Sequence, residues 1–388
     1  MDSDLNQDLA QDLVVGLDAG GTRTRAVLAA AVDGRVLGEG AAGPGNALTV
    51  PVPRLTDHLA EAIARAVPER ARARVVAVAG GFAGAAQTSP DEPGRLNALA
   101  ALTAALRRLG IAAGSIGVSS DIEAAFASAP GVPADGLALV AGTGAVAIRI
   151  SDRRCAVSVD GDGWLLGDDG SGFWIGRSAV RAALRMADGR GAPTVLADLV
   201  GRALELPTEA RPPTGSADVQ RGDVGRGEGA RADAGSDAGR GGDGRADTGR
   251  GEGGDRRLPV ELEWTRAGRE AYRMHLLPAV MAGPPILLAW LAPLVAEAAR
   301  GRDPVAEAIL EEAVDHLLDT IRALEPHPGE PVVATGGLLG PDGPLTVSLG
   351  ERLGTLGLRL DWVADGCRGA VALARLGHGR PAPPAPAT

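Results

Sequence analysis

The chain has 388 residues, 45% of them hydrophobic and 23% charged, which is enough apolar material for two globular domains rather than a disordered chain. Its formal net charge of −10 excludes a nucleic acid or an anionic membrane surface as an expected partner, because no basic field exists to hold one. Its two cysteines, Cys155 and Cys367, are too few for a disulfide framework or a four-cysteine zinc site.

The basic residues exclude three further mechanisms. All 39 are arginine, so the chain lacks the lysine of a P-loop, of a protein kinase and of a pyridoxal enzyme. Any phosphate must therefore be bound by backbone amides, hydroxyl groups, arginine or a metal ion. The N-terminus, MDSDLNQDLAQD, is acidic where a secretory signal is basic and then apolar. We therefore expect a cytoplasmic protein that starts with a disordered segment, residues 1–12.

The first third of the chain predicts strands around a glycine turn. Residues 14–30, VVGLDAGGTRTRAVLAA, read as two strands flanking the turn, and alternation around the next Asp-Gly pair predicts a hairpin to a third strand. A buried strand, ARVVAVAGGFAGA, follows. Leucines at helical spacing, from Leu96 to Leu109, then predict a helix that ends at Gly110. The segment GSIGVSSDIEAAFASA predicts a strand, a turn at Asp121 and a helix.

The pattern restarts at Gly136, where GLALVAGTGAVAIRI is again strand, glycine turn and strand. This repetition indicates a diverged internal duplication of two lobes. Residues 208–257 consist mainly of Gly, Arg, Asp and Ala, so we expect a disordered insertion there. The uncharged run 276–296 is broken by prolines, which favours buried helices over a membrane span. Asp303 and Pro304 then begin an amphipathic helix.

The end of the chain completes an alternation of strands and helices that is typical of an α/β fold. The segment PVVATGG predicts a strand that exits at Gly336 and Gly337, whose bare backbone suits a flat base or ribose. A further strand and helix follow. The Pro-rich tail, residues 379–388, is expected to be disordered.

The first glycine turn has the chemistry of a polyphosphate site. Gly20 and Gly21 let the backbone approach a phosphate closely, and Thr22 and Thr24 add hydroxyl donors. Asp18 supplies a hard oxygen for a magnesium ion or its water shell. An ordinary hairpin turn with exposed threonines remains the alternative.

The second turn carries Gly142, Thr143 and Gly144, which would meet the phosphates from the opposite lobe. Ala141 stands at its acidic position, so only the first turn is expected to hold metal. Asp121, between a strand and a helix, has two open roles. It is either a helix cap or the group that accepts the proton of a substrate hydroxyl as it attacks a γ-phosphate.

Six segments together resemble one family. LDAGGTRT, AVAGGFAGA, SSDIEAAFAS, LVAGTGAVAIRI, GWLLGDDGSGFWIG and VVATGG occur in the order and spacing seen in N-acetylglucosamine kinases and the related BadF/BadG-type ATPase domain, within the sugar kinase, Hsp70 and actin superfamily. The match covers roughly residues 14–205 and 258–377.

The resemblance implies an α/β fold of two ribonuclease-H-like, actin-like ATPase lobes around a central nucleotide and sugar cleft. The N-terminal lobe would span residues 13–120 and the C-terminal lobe residues 121–378. The terminal helix, residues 366–377, is a candidate to pack on the N-terminal lobe.

The resemblance also implies roles for individual residues. Asp121 falls on the family's catalytic base, and Asp18 falls on the carboxylate that holds Mg²⁺ through water. The cofactor-binding positions are Asp18, Gly20, Gly21, Thr22, Arg23, Thr24, Gly142, Thr143, Gly144, Gly336 and Gly337. The sugar-binding positions are Asn46, Gly81, Asp121, Gly163, Trp164 and Asp168.

Three residues depart from the family pattern. Ala145 replaces the usual serine after the second turn, which removes a hydroxyl near the phosphates. Arg23 replaces a common lysine, and its guanidinium is bulkier than an ammonium group. Trp164 lies closer to Asp168 than the tryptophan of the related kinases, which puts recognition of an N-acetyl group in doubt.

The resemblance implies an ATP- and Mg²⁺-dependent enzyme that phosphorylates the 6-hydroxyl of an amino sugar, first N-acetylglucosamine, with glucosamine as the nearest rival. A homodimer is left open. A second class, an ATP-driven activator of a radical dehydratase or reductase, shares the ATPase domain, but Cys155 and Cys367 lie outside the cysteine motifs of that group. A nucleotide-dependent regulator is a third class, and the sequence offers it no DNA-binding helix pair.

Overall fold

The computed structural model describes residues 11–85, 91–213 and 264–378. The strands in these ranges are β1 Leu13–Ala19, β2 Thr24–Ala30, β3 Val36–Ala42, β4 Val75–Phe82, β5 Ser115–Ser120, β6 Gly136–Ala141, β7 Ala145–Ser151, β8 Arg154–Asp160, β9 Pro331–Thr335 and β10 Arg359–Trp362. The α-helices are α1 Val52–Ala66, α2 Pro93–Arg108, α3 Asp121–Ala127, α4 Gly172–Ala187, α5 Leu196–Ala203, α6 Arg266–Met281, α7 Ala292–Arg300, α8 Pro304–Arg322, α9 Thr346–Thr355 and α10 Cys367–His378.

Two five-stranded sheets form the framework, and they share one topology. The first has the strand order β3-β2-β1-β4-β5, and the second, read in the matching direction, has the order β8-β7-β6-β9-β10. In each sheet the first three strands pair antiparallel, and the last two join them in parallel. The predicted duplication into two α/β lobes is therefore confirmed.

The carboxyl ends of the first sheet's parallel strands lie at one edge. Asp18 at the end of β1 is level with Gly81 on β4, and Gly81 is level with Ser119 on β5. Helix α3 begins directly after β5, at Asp121. The register therefore brings Asp18 and Asp121 to the same edge, which is where α/β sheets bind ligands.

Helix α10 crosses back from the second sheet to the first. Cys367 and Val371 pack on Val14 and Val27 in one buried cluster. The approach is close, because a Cβ atom at Gly16 on β1 would lie 2.5 Å from the backbone nitrogen of Val371. This packing fixes the start of α10 beside the end of β1.

Two predicted helices show how far periodicity decides burial. Helix α8 begins as predicted, with the Asp303 side chain accepting hydrogen bonds from the N–H groups of Val305 and Ala306. Helix α2 is present, but Leu96 and Leu99 are 47% and 40% exposed, so the predicted leucine face is only partly right. The buried face of α2 is built largely from alanines, whose small side chains let helix α1 pack closely.

The apolar run 276–296 is not fully buried, which corrects the sequence prediction. The run divides after Met281, where Pro284 and Pro285 precede and begin a 3₁₀ helix at Pro285–Leu291, and α7 follows. Pro278 lies inside α6 without ending it. Leu287 and Trp290 remain 54% and 51% exposed, because they line a cavity. Among the described helices none alone is long and apolar enough to span a membrane; Arg266–Met281 and Pro285–Arg300, bent by 116°, meet that criterion only as a pair.

Several expectations fall wholly or partly outside the described residues. These are the disordered start, of which residues 11 and 12 are described, the tail 379–388, and the insertion beyond residue 213. Residues 208–213 of the predicted insertion are described, and Thr208–Ala210 form a 3₁₀ helix in which Ala210 is 1% exposed. A buried alanine anchors this turn, so residues 208–213 belong to the ordered lobe.

Candidate active site

Two acidic side chains meet at the end of β1. The Arg25 guanidinium lies 3.6 Å from Asp18 Oδ2 and 3.5 Å from Asp365 Oδ2. Burial and the neighbouring Asp365 carboxylate raise the pKa of Asp18 to about 6, and Arg25 opposes this shift. The carboxylate of Asp121 also lies close enough to raise the pKa of Asp18. Asp365 lies in the loop before α10, and no sequence motif marks it as a site residue.

The donor set at this position fits the expected magnesium ion. One ligand atom each from Asp18, Asp365 and Cys367 lies within 4.8 Å of the others. Mg²⁺ prefers oxygen ligands, which the two carboxylates supply. Burial, followed by the nearby carboxylates, raises the pKa of the Cys367 thiol, so the thiol stays protonated and is a poor ligand for a hard cation. Asp18 and Asp365 would therefore hold the ion or its water shell.

Asp121 is not the helix cap. Ser120 holds that position in α3, since its Oγ accepts the Glu123 N–H at 3.1 Å while the Glu123 carboxylate accepts the Ser120 N–H at 2.9 Å. Among the described residues, the Asp121 carboxylate accepts hydrogen bonds from nearby backbone, including the Ile122 N–H at 3.0 Å. Burial raises the pKa of Asp121 despite these bonds. The structure thus leaves its carboxylate available to a ligand at the sheet edge.

Gly81 has a packing role, and its predicted contact with sugar stays a prediction. It is buried, and a Cβ there would overlap the Cβ of Ala124 and lie 3.2 Å from the Cα of Asp121. Glycine at this position therefore lets α3 approach β4 closely. It acts on the site by placing Asp121.

The first glycine turn exposes its tip. The Gly20 N–H donates to the Arg23 carbonyl at 2.9 Å, and a Cβ at Gly21 would meet nothing within 4 Å. Thr22 and Arg23 are exposed beside it. Thr24 is completely buried, and its hydroxyl has no hydrogen-bond partner among the described residues. Thr24 thus lies beneath the turn, and the backbone of the tip is what faces open space.

The second turn is anchored to helix α4. The Gly142 N–H donates to the Gly144 carbonyl at 2.9 Å. The N–H groups of Gly172 and Phe173 donate to the carbonyls of Gly142 and Thr143, at 2.8 and 3.1 Å. A Cβ at Gly142 would meet nothing within 4 Å, so this turn also presents open backbone.

A cavity of about 760 Å³ joins the second turn to the exit of β9. Its lining includes Gly142, Thr143, Gly337 and Trp290. Gly336 has a φ of +107°, and a Cβ there would overlap the Ala141 carbonyl oxygen, so only glycine permits the close approach of β9 to β6. Residue periodicity gave no reason to place Trp290 here.

Asp168 links the predicted sugar segment to the second turn. It is 8% exposed, and its Oδ1 accepts the Ala145 N–H at 3.1 Å. The Asp160 carboxylate, which no sequence motif marks, holds this segment in place. Asp160 accepts the N–H groups of Asp168 at 2.6 Å and of Asp169 at 2.9 Å, and also that of Gly161 at 2.7 Å.

The other predicted sugar residues lie on loops. Trp164 is 37% exposed and packs edge-on against Phe173, with 5.7 Å between ring centroids. Gly163 has a φ of +85°, a left-handed backbone conformation that favours glycine. Asn46 Oδ1 accepts the N–H groups of Leu48 at 2.9 Å and Thr49 at 3.0 Å, so it closes a turn. Contact of these three residues with a sugar stays a prediction.

Duplicated lobes, paired open glycine turns and carboxylates at one sheet edge define the class of two-lobed actin-like ATPases. The chain belongs to the BadF/BadG/BcrA/BcrD ATPase family, whose model matches residues 15–343. The predicted family is therefore confirmed. The chain is 30% identical over 186 residues to an N-acetylmuramic acid/N-acetylglucosamine kinase of Clostridium acetobutylicum, a match that covers 47% of this chain. It spans 57% of the length of that curated relative.

Two solved structures share the fold. A candidate N-acetylglucosamine kinase from Chromobacterium violaceum is 20% identical, with a TM-score of 0.58, and one from Porphyromonas gingivalis is 18% identical, with a TM-score of 0.60. Each match covers 94% of this chain and 99% of the other. These structures confirm the predicted fold class.

Proposed function

We propose that this protein is an ATP-dependent kinase that transfers the γ-phosphoryl group to the 6-hydroxyl of an amino sugar, first N-acetylglucosamine. The observation that carries the proposal is the position of Asp121. It lies at the first turn of α3 without capping it, at the same sheet edge as Asp18. Burial raises its pKa above that of an ordinary aspartate, which suits a group that must accept a proton.

The residues at this sheet edge have different roles in phosphoryl transfer. Asp121 accepts the proton of the attacking hydroxyl and orients that oxygen, which matters most in a loose phosphoryl-transfer transition state. The exposed backbones of the two glycine turns bind the phosphates from opposite lobes. Asp18 and Asp365 would hold Mg²⁺, whose charge offsets that of the phosphates.

The cavity beside the second turn suits the adenosine. Its volume of about 760 Å³ lies within the range of small-molecule pockets, and apolar side chains, among them Trp290 and Ile286, line it. Gly337 offers bare backbone for close approach of a ring. Arg300 and Asp342 supply the polar groups at its wall.

The choice of sugar is the finer part of the proposal. The name of the Clostridium acetobutylicum relative supports an N-acetylated amino sugar, while the sequence keeps glucosamine as the alternative. A coupled ADP-release assay across glucosamine, N-acetylglucosamine, N-acetylmannosamine, N-acetylmuramic acid and glucose tests this choice. A higher kcat/KM for glucose than for every amino sugar would refute it.

The cysteine positions offer no support for the activator alternative. A cluster shared between two subunits needs accessible thiolates, whereas Cys367, the first residue of α10, is 4% exposed and burial raises its thiol pKa. Burial and the nearby Glu123 carboxylate also raise the thiol pKa of Cys155. Kinase chemistry therefore remains the proposal.

Asp121→Asn tests the proposed base. We expect kcat to fall at least about 10²-fold, since general-base catalysis commonly contributes that much. Binding of Mg-ATP, measured by titration calorimetry, should stay within about twofold. The matched control is Asp33→Asn, which changes an exposed carboxylate in the β2–β3 turn. A wild-type rate for Asp121→Asn would remove Asp121 from the mechanism.

A further inference from the structure

Glu123 is a buried carboxylate that joins the two lobes. It is 1% exposed, although glutamate is seldom fully buried in proteins. Its Oε2 accepts the Ser120 N–H at 2.9 Å, and its Oε1 accepts the Cys155 N–H at 2.8 Å. Ser120 ends β5 of the first sheet, whereas Cys155 lies on β8 of the second. One side chain therefore holds a backbone group from each lobe.

The first of these bonds acts directly on Asp121. Ser120 and Glu123 close a reciprocal capping box, and Asp121 is the residue that follows Ser120. The φ and ψ angles of the first helical turn, and with them the direction of the Asp121 side chain, depend on this box. A shift of the box would move the proposed base.

The second bond acts through strand β8. Cys155 lies near the start of β8, and Asp160 ends it. Asp160 binds the N–H group of Asp168, and Asp168 in turn binds the N–H group of Ala145 at the second glycine turn. A continuous path of hydrogen bonds and one strand thus runs from Glu123 to the turn proposed to bind phosphate.

We propose that Glu123 is a positioning residue that sets the place of Asp121 relative to the second lobe by tying the first turn of α3 to β8. This inference rests on the proposed kinase function. Glu123 touches neither phosphate nor sugar in this role. It therefore controls the rate of the bound complex and leaves binding of the substrates unchanged.

Two variants remove the hydrogen bond between Glu123 and the Cys155 N–H, one by changing the acceptor and one by changing the donor. Glu123→Gln keeps the shape of the side chain but has one acceptor oxygen where two N–H groups need one each. Cys155→Pro removes the N–H donor and leaves Glu123 intact. Proline is tolerated on an edge strand where its nitrogen is not needed for pairing, and β8 lies at one edge of its sheet.

Asp303→Asn is the matched control. The Asp303 carboxylate also caps a helix and reaches another segment, since it accepts the Thr194 hydroxyl at 3.0 Å and the Val195 N–H at 2.8 Å. It lies at the start of α8, in the second lobe, so its loss affects stability without acting on Asp121. Both buried carboxylates are therefore perturbed by the same chemical change.

The experiment compares kcat and both KM values in the three variants, with thermal melts to confirm folding. We expect kcat to fall about 10- to 100-fold in Glu123→Gln and Cys155→Pro, because misplacement of a catalytic group by about 1 Å costs this much. KM for ATP and for the sugar should stay within twofold, and Asp303→Asn should keep the wild-type kcat. If Glu123→Gln does not fold, Cys155→Pro decides.

Three results would overturn the inference. They are an unchanged kcat in either folded variant, a KM that rises in proportion to the loss of rate, and an equal loss of kcat in Asp303→Asn. Amide hydrogen exchange tests this inference independently of the proposed kinase function. Faster amide exchange at residues 120–123 and at 155 in Glu123→Gln supports the tie, and unchanged exchange refutes it, even if wild-type protein phosphorylates no sugar.

Discussion

Alanine substitution at the two glycines of the second turn separates a structural role from a ligand-binding role. Neither Gly142 nor Gly144 has a positive φ, so an alanine at either position can adopt the backbone conformation. A Cβ at Gly144 would lie 2.8 Å from Asp168 Oδ1 and 3.1 Å from its Oδ2. A Cβ at Gly142 would meet no protein atom within 4 Å. Gly144→Ala therefore perturbs the protein, whereas Gly142→Ala perturbs only the open space above the turn.

The magnitude follows from the bond that Gly144→Ala displaces. The Asp168 carboxylate must move away from the Ala145 N–H, which it now binds at 3.1 Å. Loss of a hydrogen bond to a charged group costs about 1.5–3 kcal/mol. Replacing glycine by alanine restores about 0.4–1 kcal/mol through the unfolded chain. The net loss is about 0.5–2.5 kcal/mol, or about 1–10 °C in Tm for a domain of this size. Gly142→Ala should be as stable as wild type or slightly more stable.

Thermal melts and calorimetric titration with Mg-ATP together test this reasoning. For Gly142→Ala we expect a normal melt and an affinity for Mg-ATP reduced about tenfold or more, because the new methyl group occupies space that a phosphate oxygen needs. For Gly144→Ala we expect the lower Tm. Wild-type affinity in Gly142→Ala would show that the second turn does not bind phosphate. Wild-type stability in Gly144→Ala would show that the Asp168 contact is unimportant to folding.

Two further predictions follow from the carboxylates. Burial disfavours the charged form of Asp121 and raises its pKa. We therefore expect kcat to fall as the pH is lowered, with a midpoint above the pKa of about 3.9 of an ordinary aspartate. A pH profile in which kcat stays constant down to that pH would contradict this prediction. Asp160→Asn leaves one acceptor oxygen for three N–H groups. The free energy of unfolding, measured by urea denaturation, should therefore fall by about 1–3 kcal/mol. An unchanged urea midpoint would contradict the role given to Asp160.

Local sequence patterns predicted the framework because each pattern has a direct structural cause. The strand, glycine turn and strand at residues 14–30 recur after Gly136, and the two sheets do share one topology. Asp303 and Pro304 started a helix where a cap and a fixed φ favour one. The sequence pattern does not predict strand β8, because RCAVSVD has no strict alternation of apolar and polar residues and its Val157 is 52% exposed at the sheet edge.

The site could be predicted only where its residues stand in recognisable turns. Asp18 and Asp121 lie at the ends of strands, where the chain itself marks them. Asp365 and Trp290 come from segments far along the chain, and tertiary packing alone brings Asp365 to the end of β1 and Trp290 to the cavity beside the second turn. Thr24 and Gly81 lie in the predicted motifs and are buried, so their contact with a ligand stays a prediction. A motif locates a loop, and the packing beneath it decides which side chains a ligand can reach.

The duplicated lobes differ where their glycine turns begin. Asp18 is the sixth residue of β1 and keeps a partly exposed carboxylate near the end of that strand. By strand register its counterpart in the second sheet is the half-buried Val140, which pairs with Val146 as Asp18 pairs with Arg25. Ala141 corresponds to Ala19, which corrects the prediction that placed Ala141 at the acidic position. Val146 offers no charge to balance a carboxylate at Val140, whereas Asp18 has Arg25 beside it. The second lobe therefore has no acid at this position, and the α10 junction, which brings Asp365, supplies a second acid to the first lobe.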